Sequence, residues 1–470
     1  MIARAPRRAQ CTQYNLKMMR RTGILACLAA SSLALRLPVR LVAPRKFKTA
    51  PLLAEAAPAA EAATETNVAA STVNLVKSIV GAGVLALPAG VAAFSDTKPA
   101  LWSATALITA LGAASAYSFG VLGRVCGAYD ADTYKDAWAK SVGEKSAWVV
   151  TLCCTLTPFL ACLAYSIIMG DAAASLIAAA NPGPKVCSAP NACGGARRGS
   201  IVALTLGALW PLCSLKSLAA LAPTSALGTA GVVYTAGFMA KRALDGTYKA
   251  GSTFVRTLPK ALGPKFGSTL VKPGLGLGVF VAMCGTAYMA HFNAPNFFVD
   301  AGKDQKTYAK VVRRGFALSV LLNVAIMVAG FATFGASSQG LVLNNYAVKD
   351  SLAGVARLLF GVSTVFTFPL AYAAVKVGVR SVLPSLPEKG VVALPLGLIT
   401  AIALLLDDVG IVVSLTGALM GSAVIYALPA VMLLKGDKVQ KAGWEKKVAP
   451  YGMMGLAGLS AVLGTIATLA

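Results

Sequence analysis

The chain has 470 residues, of which 57% are hydrophobic and 13% charged, and a formal net charge of +25. A soluble domain carries about a quarter charged residues, so this composition excludes an ordinary soluble fold and points to a polytopic membrane protein with spans of about 20 residues. Aromatic residues make up only 7%, and Lys and Arg fall mostly between apolar runs, as topology and headgroup anchors do; nucleic acid is not the expected partner.

Every charged residue before Glu55 is basic. Residues 23–35 form a short apolar core behind Arg20-Arg21, with the length and flank of a signal-peptide core and too short to span a bilayer. A second acid-free basic stretch runs from Arg36 to Lys48. Residues 1–50 are therefore read as a targeting presequence. Residues 51–67, rich in Ala, Pro, Glu and Thr, are read as a disordered linker. A signal core followed by a basic, hydroxyl-bearing segment resembles the bipartite presequences of plastids bounded by extra membranes. The competing readings are a mitochondrial presequence and a plain basic tail. The expected location is an organelle membrane, with a vacuolar, other endomembrane or plasma membrane as the alternative.

The transmembrane domain is expected over residues 68–470. Its first apolar run, 68–94, holds Asn74, Lys77, Ser78 and Gly81-Ala82-Gly83, with Pro88 behind. In hydrocarbon every amide and carbonyl needs a partner, so an opened backbone is tolerated only against protein or a wet cavity. Polar groups inside an interrupted span mark a solute site in transporters. A second run, 100–121, leads to a charged loop at 127–145 that reads as solvated. A third, 146–179, carries Asp171 near its outer end, at the interface. The next loop holds Cys187 and Cys193, which can pair if it faces an oxidising lumen. Runs at 200–213 and 218–240 precede a basic loop, 241–272. The sixth run starts near Pro273 and passes through the polar, breakable segment Tyr288–Asn296, which includes His291, the one histidine. Runs at 315–334, 352–375, 391–406, 409–434 and 448–469 follow.

These are about eleven spans of membrane length, and the fold class is an all-α polytopic membrane protein. The interrupted spans are the first and the sixth. Interruptions five spans apart are what an inverted repeat of five plus five predicts, with 68–240 and 273–434 as the halves and 448–469 as an extra helix. Loops near Lys303–Arg314, Lys376–Lys389 and Lys435–Lys447 are basic, whereas Asp407-Asp408 is acidic, which puts the N-terminus inside. The basic loop 241–272 goes against this assignment. No Ser/His/Asp triad, paired in-membrane carboxylates, phosphate loop or zinc spacing is evident, so neither an enzyme nor a metal or cofactor is expected.

The run Asn74-Leu-Val-Lys-Ser-Ile-Val-Gly-Ala-Gly-Val-Leu-Ala-Leu-Pro88 resembles the first-helix signature of the amino acid/auxin permeases. They belong to the amino acid–polyamine–organocation superfamily, which has the inverted-repeat leucine-transporter fold. Pro211–Leu218 with Leu221–Gly228, Met289-Ala-His291 with Pro295, Arg357 through Phe368-Pro369, and Leu415-Thr-Gly417 with Leu428-Pro429 resemble later family segments and fall in the family's order. The resemblance covers about residue 72 to the end, with Ala290 where the family has Cys.

A zwitterionic amino acid needs two recognitions. Backbone amides at Gly81, Ala82 and Gly83 can meet its carboxylate where a helix is opened. Carbonyls around Ala290, His291 and Asn293 can meet its ammonium, and Ser78 is a further candidate for binding the substrate. The bland reading of the glycines is close helix packing. The resemblance implies that Asn74 and a hydroxyl on the eighth span, Ser363 or Thr364, would hold sodium in sodium-coupled relatives, and that a Lys stands at Lys77 in some proton-coupled ones. Lys77 either exchanges protons, replacing a sodium ion, or snorkels to the interface. His291 either handles protons or shapes the helix break.

The expectation is a secondary active amino-acid transporter working by alternating access as a proton-coupled symporter or exchanger. The alternatives are a sodium-coupled symporter, an amino-acid sensor and a passive channel. The expected partners are an amino acid, the coupling ion and the lipid bilayer.

Overall fold

A computed structural model describes residues 65–180, 194–215 and 224–470. The expected presequence and the pair Cys187 and Cys193 lie outside the described residues, as does most of the linker. In chain order the helices are α1 Glu65–Ile79, α2 Leu87–Phe94, α3 Ala100–Tyr129, α4 Tyr134–Ser141, α5 Ala147–Ala180, α6 Gly194–Leu204, α7 Trp210–Cys213, α8 Thr224–Leu244, α9 Thr253–Thr257, α10 Gly276–Ala287, α11 Ala294–Asp300, α12 Gln305–Phe334, α13 Ser351–Val382, α14 Glu388–Leu405, α15 Val409–Thr416, α16 Leu428–Lys435, α17 Gly443–Lys447 and α18 Ala449–Leu469. Among the described residues eight helices are long and apolar enough to cross a membrane. The pair Val68–Ile79 and Ala82–Phe94, bent by 49°, makes a ninth span if it is taken as one.

Several boundaries differ from the sequence reading. Helix α1 begins at Glu65, so residues 65–67 of the expected linker are its first turn; adding a residue to a formed helix is cheap compared with starting one. The charged loop at 127–145 contains α4. Thr133 caps it by accepting from the Asp136 amide at 3.1 Å, and Tyr134 and Trp138 are buried beneath its charged face. Helix α12 starts ten residues before the apolar run, because the Asp304 carboxylate accepts from the Thr307 amide at 2.8 Å. Helix α13 continues through Pro369 to Val382.

The two interrupted runs lie at the centre. Helix α10 packs on α2 and on the wide-turned segment Gly417–Ala427 between α15 and α16; α12 packs on α1, α3 and α8, and α13 packs on α5 and α8. Glycines set the closest approaches. A Cβ on Gly417 would collide with the Ala282 carbonyl, and one on Gly285 would lie 3.1 Å from Gly417 O, the small-residue packing by which membrane helices approach.

The basic stretch 241–272 has partners. Lys272 Nζ donates to Ala92 O at 2.6 Å, placing a cation at the C-terminal end of α2, where the helix dipole favours one. Arg242 is held by both oxygens of Asp350 (3.0 and 2.8 Å) and by Asp245 at 2.9 Å. The Thr247 hydroxyl and amide and the Arg242 guanidinium hold the Asp245 carboxyl down at about 2.

Asp171 is packed inside the protein rather than exposed. Its side chain is 1% exposed and Arg197 Nε donates to it at 2.7 Å. Asn344 donates to its second oxygen at 2.8 Å, and the same guanidinium reaches Leu406 O at 2.7 Å and Asp407 at 3.2 Å. The network joins α5, α6, the turn at 342–345 and the start of α15. Removing one partner of such a pair leaves a buried charge uncompensated, at about 3–5 kcal/mol. Asp171→Ala is therefore expected to lower the thermal midpoint of the detergent-purified protein sharply. The Asp171→Ala/Arg197→Met double variant is expected to be less destabilised than the sum of the singles.

Outside the spans, Glu445 accepts from Arg124 at 2.9 and 2.6 Å, from the Tyr117 hydroxyl at 2.7 Å and from the Ala442 amide at 3.0 Å. The Arg124 guanidinium above all holds its carboxyl down at about 2. A depressed carboxyl stabilises the fold at any pH above its unfolded value and loses that contribution as pH falls through the folded one. Thermal midpoints followed from pH 5 to pH 2 are expected to fall less in Glu445→Gln than in the unaltered protein.

Candidate functional site

Helix α1 ends at Ile79, where Gly81 leaves helical geometry (φ −114°, ψ −144°) and its amide turns back to Ile79 O at 3.0 Å. A tight helical turn, Ala82–Ala86, then leads into α2, which carries Pro88 at its start. The first bond of that turn runs from the Val84 amide to Gly81 O at 3.4 Å. The amides of Ala82 and Gly83 precede it, and leading amides have no acceptor within their own helix. They are the donors that an opened helix offers an anion.

The second run breaks in the same manner. Helix α10 ends at Ala287, the Ala290 amide bends back to Tyr288 O at 3.1 Å, and the Asn293 amide donates to Ala290 O at 2.9 Å. A turn at His291–Asn293 opens α11, again with a proline, Pro295, in its first turn. Proline suits this place because its missing N–H is one the helix leaves unpaired anyway.

The two breaks touch. A Cβ on Gly83 would lie 3.0 Å from the Ala287 amide nitrogen and 3.1 Å from both Ala287 Cα and Thr286 C, so backbone meets backbone where both helices end. Asn293 Nδ2 donates to Ser78 Oγ at 3.3 Å, a second tie between them. Gly83 thus packs closely on a neighbouring backbone and also stands in the interrupted segment.

Lys77, Gly81, Ala82, Ser363 and Thr364 line one cavity of about 40 Å³, together with Tyr165, Gly228 and Thr229. At 10–15 Å³ for each water centre, this holds about three waters; it is too small for an amino acid. A Cβ on Gly228 would lie 3.2 Å from Lys77 Cε and 2.6 Å from Ser363 Oγ, so glycine at 228 makes room for both side chains. Thr364 donates its hydroxyl hydrogen to Phe360 O at 2.6 Å, which leaves its oxygen an acceptor. Asn74 lies on an exposed part of α1 and is not among the cavity residues. Tyr165, whose phenol would be 3.3 Å from a Cβ on Gly81, gave no signal in the sequence beyond its apolar run. Gly228 closes a segment singled out only as a helix junction.

His291 is fully buried and sits apart from this cavity. Its Nε2 lies 3.0 Å from Ser115 O and 2.8 Å from Ser118 Oγ. A carbonyl only accepts, and the Ser118 hydroxyl already donates to Ser115 O at 3.0 Å, so Nε2 carries the proton. The ring packs edge-on against Phe119 with centroids 5.2 Å apart. These contacts fasten the second break to α3.

Residues 64–470 match the model of the transmembrane amino acid transporter protein family. The chain belongs to this family, the amino acid/auxin permeases. Both helix breaks fall inside the match. The permease is 23% identical over 386 residues to rat "Putative sodium-coupled neutral amino acid transporter 11", covering 79% of this chain and 78% of the relative. A zebrafish protein of the same name is 26% identical over 373 residues, 76% of each chain. Amino acid transporter AVT6E of Arabidopsis thaliana is 23% identical over 409 residues, covering 83% of this chain and 81% of that one.

Two outcomes follow for the permease. Gly83→Val is expected to cost about 1–3 kcal/mol, as overpacking does. Gly354→Ala, where a Cβ meets nothing within 4 Å, is expected to be neutral or stabilising; thermal midpoints of the two purified variants check this. His291→Gln keeps a donor near the position of Nε2 and is expected to retain the thermal midpoint, whereas His291→Phe is expected to lower it.

Proposed function

We propose that this permease is a secondary active transporter of neutral amino acids that works by alternating access. The single observation that carries the reading is the contact between two interrupted helices, at Gly83–Ala287 and Ser78–Asn293, in a chain whose family is that of amino acid transporters. In this reading the substrate carboxylate meets the amides of Ala82 and Gly83, next to Gly81, and the ammonium meets Ala290, His291 or Asn293 carbonyls together with Ser78. The small cavity beside Gly81 corresponds to a closed conformation, and the two breaks separate to admit substrate. The matching design of the breaks, each a helix end, a tight turn and a proline-led second half, supports a five-plus-five inverted repeat of the leucine-transporter kind. Helices α6–α7 and α8 then serve as the fourth and fifth spans, giving eleven. Residues 1–50 are proposed to direct the chain to an organelle membrane, a plastid being the leading candidate.

Coupling is assigned to protons, as symport or exchange. Lys77 brings an ammonium into the cavity of Ser363 and Thr364, where it takes the place of a sodium ion. The second reading is sodium coupling. It is favoured by the sodium-coupled names of the vertebrate relatives and by the acceptor oxygen of Thr364; Asn74 is exposed in this conformation and would have to move to contribute.

Purified protein in proteoliposomes, given labelled neutral amino acids, tests both. Saturable uptake driven by an inward proton gradient and indifferent to sodium is expected, and Lys77→Met should flatten its pH dependence at least several-fold. Uptake that requires sodium would replace the proton assignment, and an absence of saturable uptake or counterflow for every amino acid would remove the transport reading.

A further inference from the structure

Helix α12 runs alongside the first interrupted helix. A Cβ on Gly315 would lie 2.7 Å from Leu75 Cδ2, before the break, and one on Gly330 would lie 2.6 Å from Pro88 Cγ, after it. Between these points α12 packs on the turn Ala82–Ala86. Asn323 stands about midway from Gly315 to Gly330 and is therefore level with the break. Ser319, on the same buried face, gives its hydroxyl hydrogen to Gly315 O at 2.8 Å within its own helix.

Asn323 is fully buried, yet its carboxamide is barely partnered. Nδ2 reaches Ala287 O at 3.5 Å, beyond the usual range of an N–H···O bond, and Oδ1 has no donor within the protein. The Tyr288 phenol lies beside the carboxamide but gives its hydrogen to Ile108 O at 3.1 Å. Turning the amide over would set its oxygen against the Ala287 carbonyl oxygen, so the contact itself fixes which end is nitrogen. Buried polar side-chain atoms are as a rule partnered, and one left without a donor beside a substrate path calls for a ligand. The contact also falls at a telling residue. Ala287 is the last of α10, where carbonyls have no partner within the helix and the dipole favours a cation. Gly83 meets the same residue, since its Cβ would lie 3.0 Å from the Ala287 nitrogen. Asn323 and Gly83 thus converge on Ala287.

Resting on the transport reading above, we propose that Asn323 is a substrate-binding residue whose Oδ1, next to the Ala287 carbonyl, accepts from the ammonium of the amino acid. The ammonium and carboxylate of an α-amino acid share one carbon. A carboxylate held by the amides of Ala82 and Gly83 therefore brings its ammonium to the Ala287 side of the crossing. The oxygen of a carboxamide only accepts and an ammonium only donates, and a bond with one ionised partner is stronger than a neutral one. In the closed conformation Oδ1 lacks a donor, and substrate supplies one as the breaks part. This adds a side-chain acceptor to the backbone carbonyls assigned to the ammonium.

The test uses the full chain in proteoliposomes, given labelled alanine, glutamine or leucine, with thermal midpoints of the purified protein measured without ligand. Asn323→Leu keeps the size of the side chain and removes its polar atoms. It is expected to raise KM for the amino acids carried at least tenfold while the midpoint stays level or rises, because an unsatisfied amide gives way to an apolar group of similar shape. A smaller change in KM would overturn the proposal. A loss of uptake together with a lowered midpoint would also overturn it, by making Asn323 a structural amide. A shift in sodium or proton half-saturation at unchanged KM would overturn it by moving the oxygen to the coupling ion. Asn323→Asp keeps an acceptor at Oδ1 and is expected to hold KM within tenfold; a larger loss would overturn the proposal, whether or not Asn323→Leu folds. An absence of uptake by the unaltered chain would instead remove the transport reading itself, before any variant is compared.

Discussion

A helix that opens inside hydrocarbon exposes amides and carbonyls that nothing in the lipid can satisfy. This permease meets the constraint by letting two opened helices face each other. Gly83 lies against the backbone at Thr286–Ala287, Asn293 donates to Ser78, and each break is held by its own tight turn. Most of the surrounding architecture shields this crossing. Helices α3 and α12 enclose His291, and the segment Gly417–Ala427 presses on α10 through Gly417 and Gly285. Lys272 closes the far end of α2.

The same crossing connects to the chemistry proposed for the site. Donors that cannot be paired within their own helix are costly when buried and favourable when an anion reaches them. A substrate carboxylate at Ala82 and Gly83 would relieve that cost, giving the open and closed arrangements different affinities for ligand, as any ligand-driven change requires. Lys77 adds a charge to the same neighbourhood, in a cavity that Gly228 makes possible by having no side chain.

Both breaks were legible in the sequence because they violate the rules of a spanning helix: Lys77 and Ser78 in an apolar run, Gly-Ala-Gly, and a histidine followed by Asn and Pro. The family was legible from the same residues. Helix extents were less so, since a soluble end such as the first turns of α12 shows no hydropathy and depends on one cap, Asp304. The buried pairing of Asp171 was not legible because its partner, Arg197, lies across a loop, and sequence gives no distance between them. Asn74 was grouped with Lys77 by its place in the motif; in this conformation Asn74 is exposed on α1 while Lys77 lines the small cavity. The placement of Tyr165, Gly228 and Asn323 arises from tertiary packing and has no local signature.

The most direct measurement of the central claim is to lock the two breaks together. Ser78→Cys and Asn293→Cys introduced as a pair would join side chains that already touch, with the two single variants as controls for the native cysteines. Amino-acid uptake into proteoliposomes should be lost when this pair is oxidised and should return on reduction, while the single variants keep it under both conditions. Full uptake through the cross-linked protein would contradict the account, because the two broken helices would then not need to part for substrate to pass.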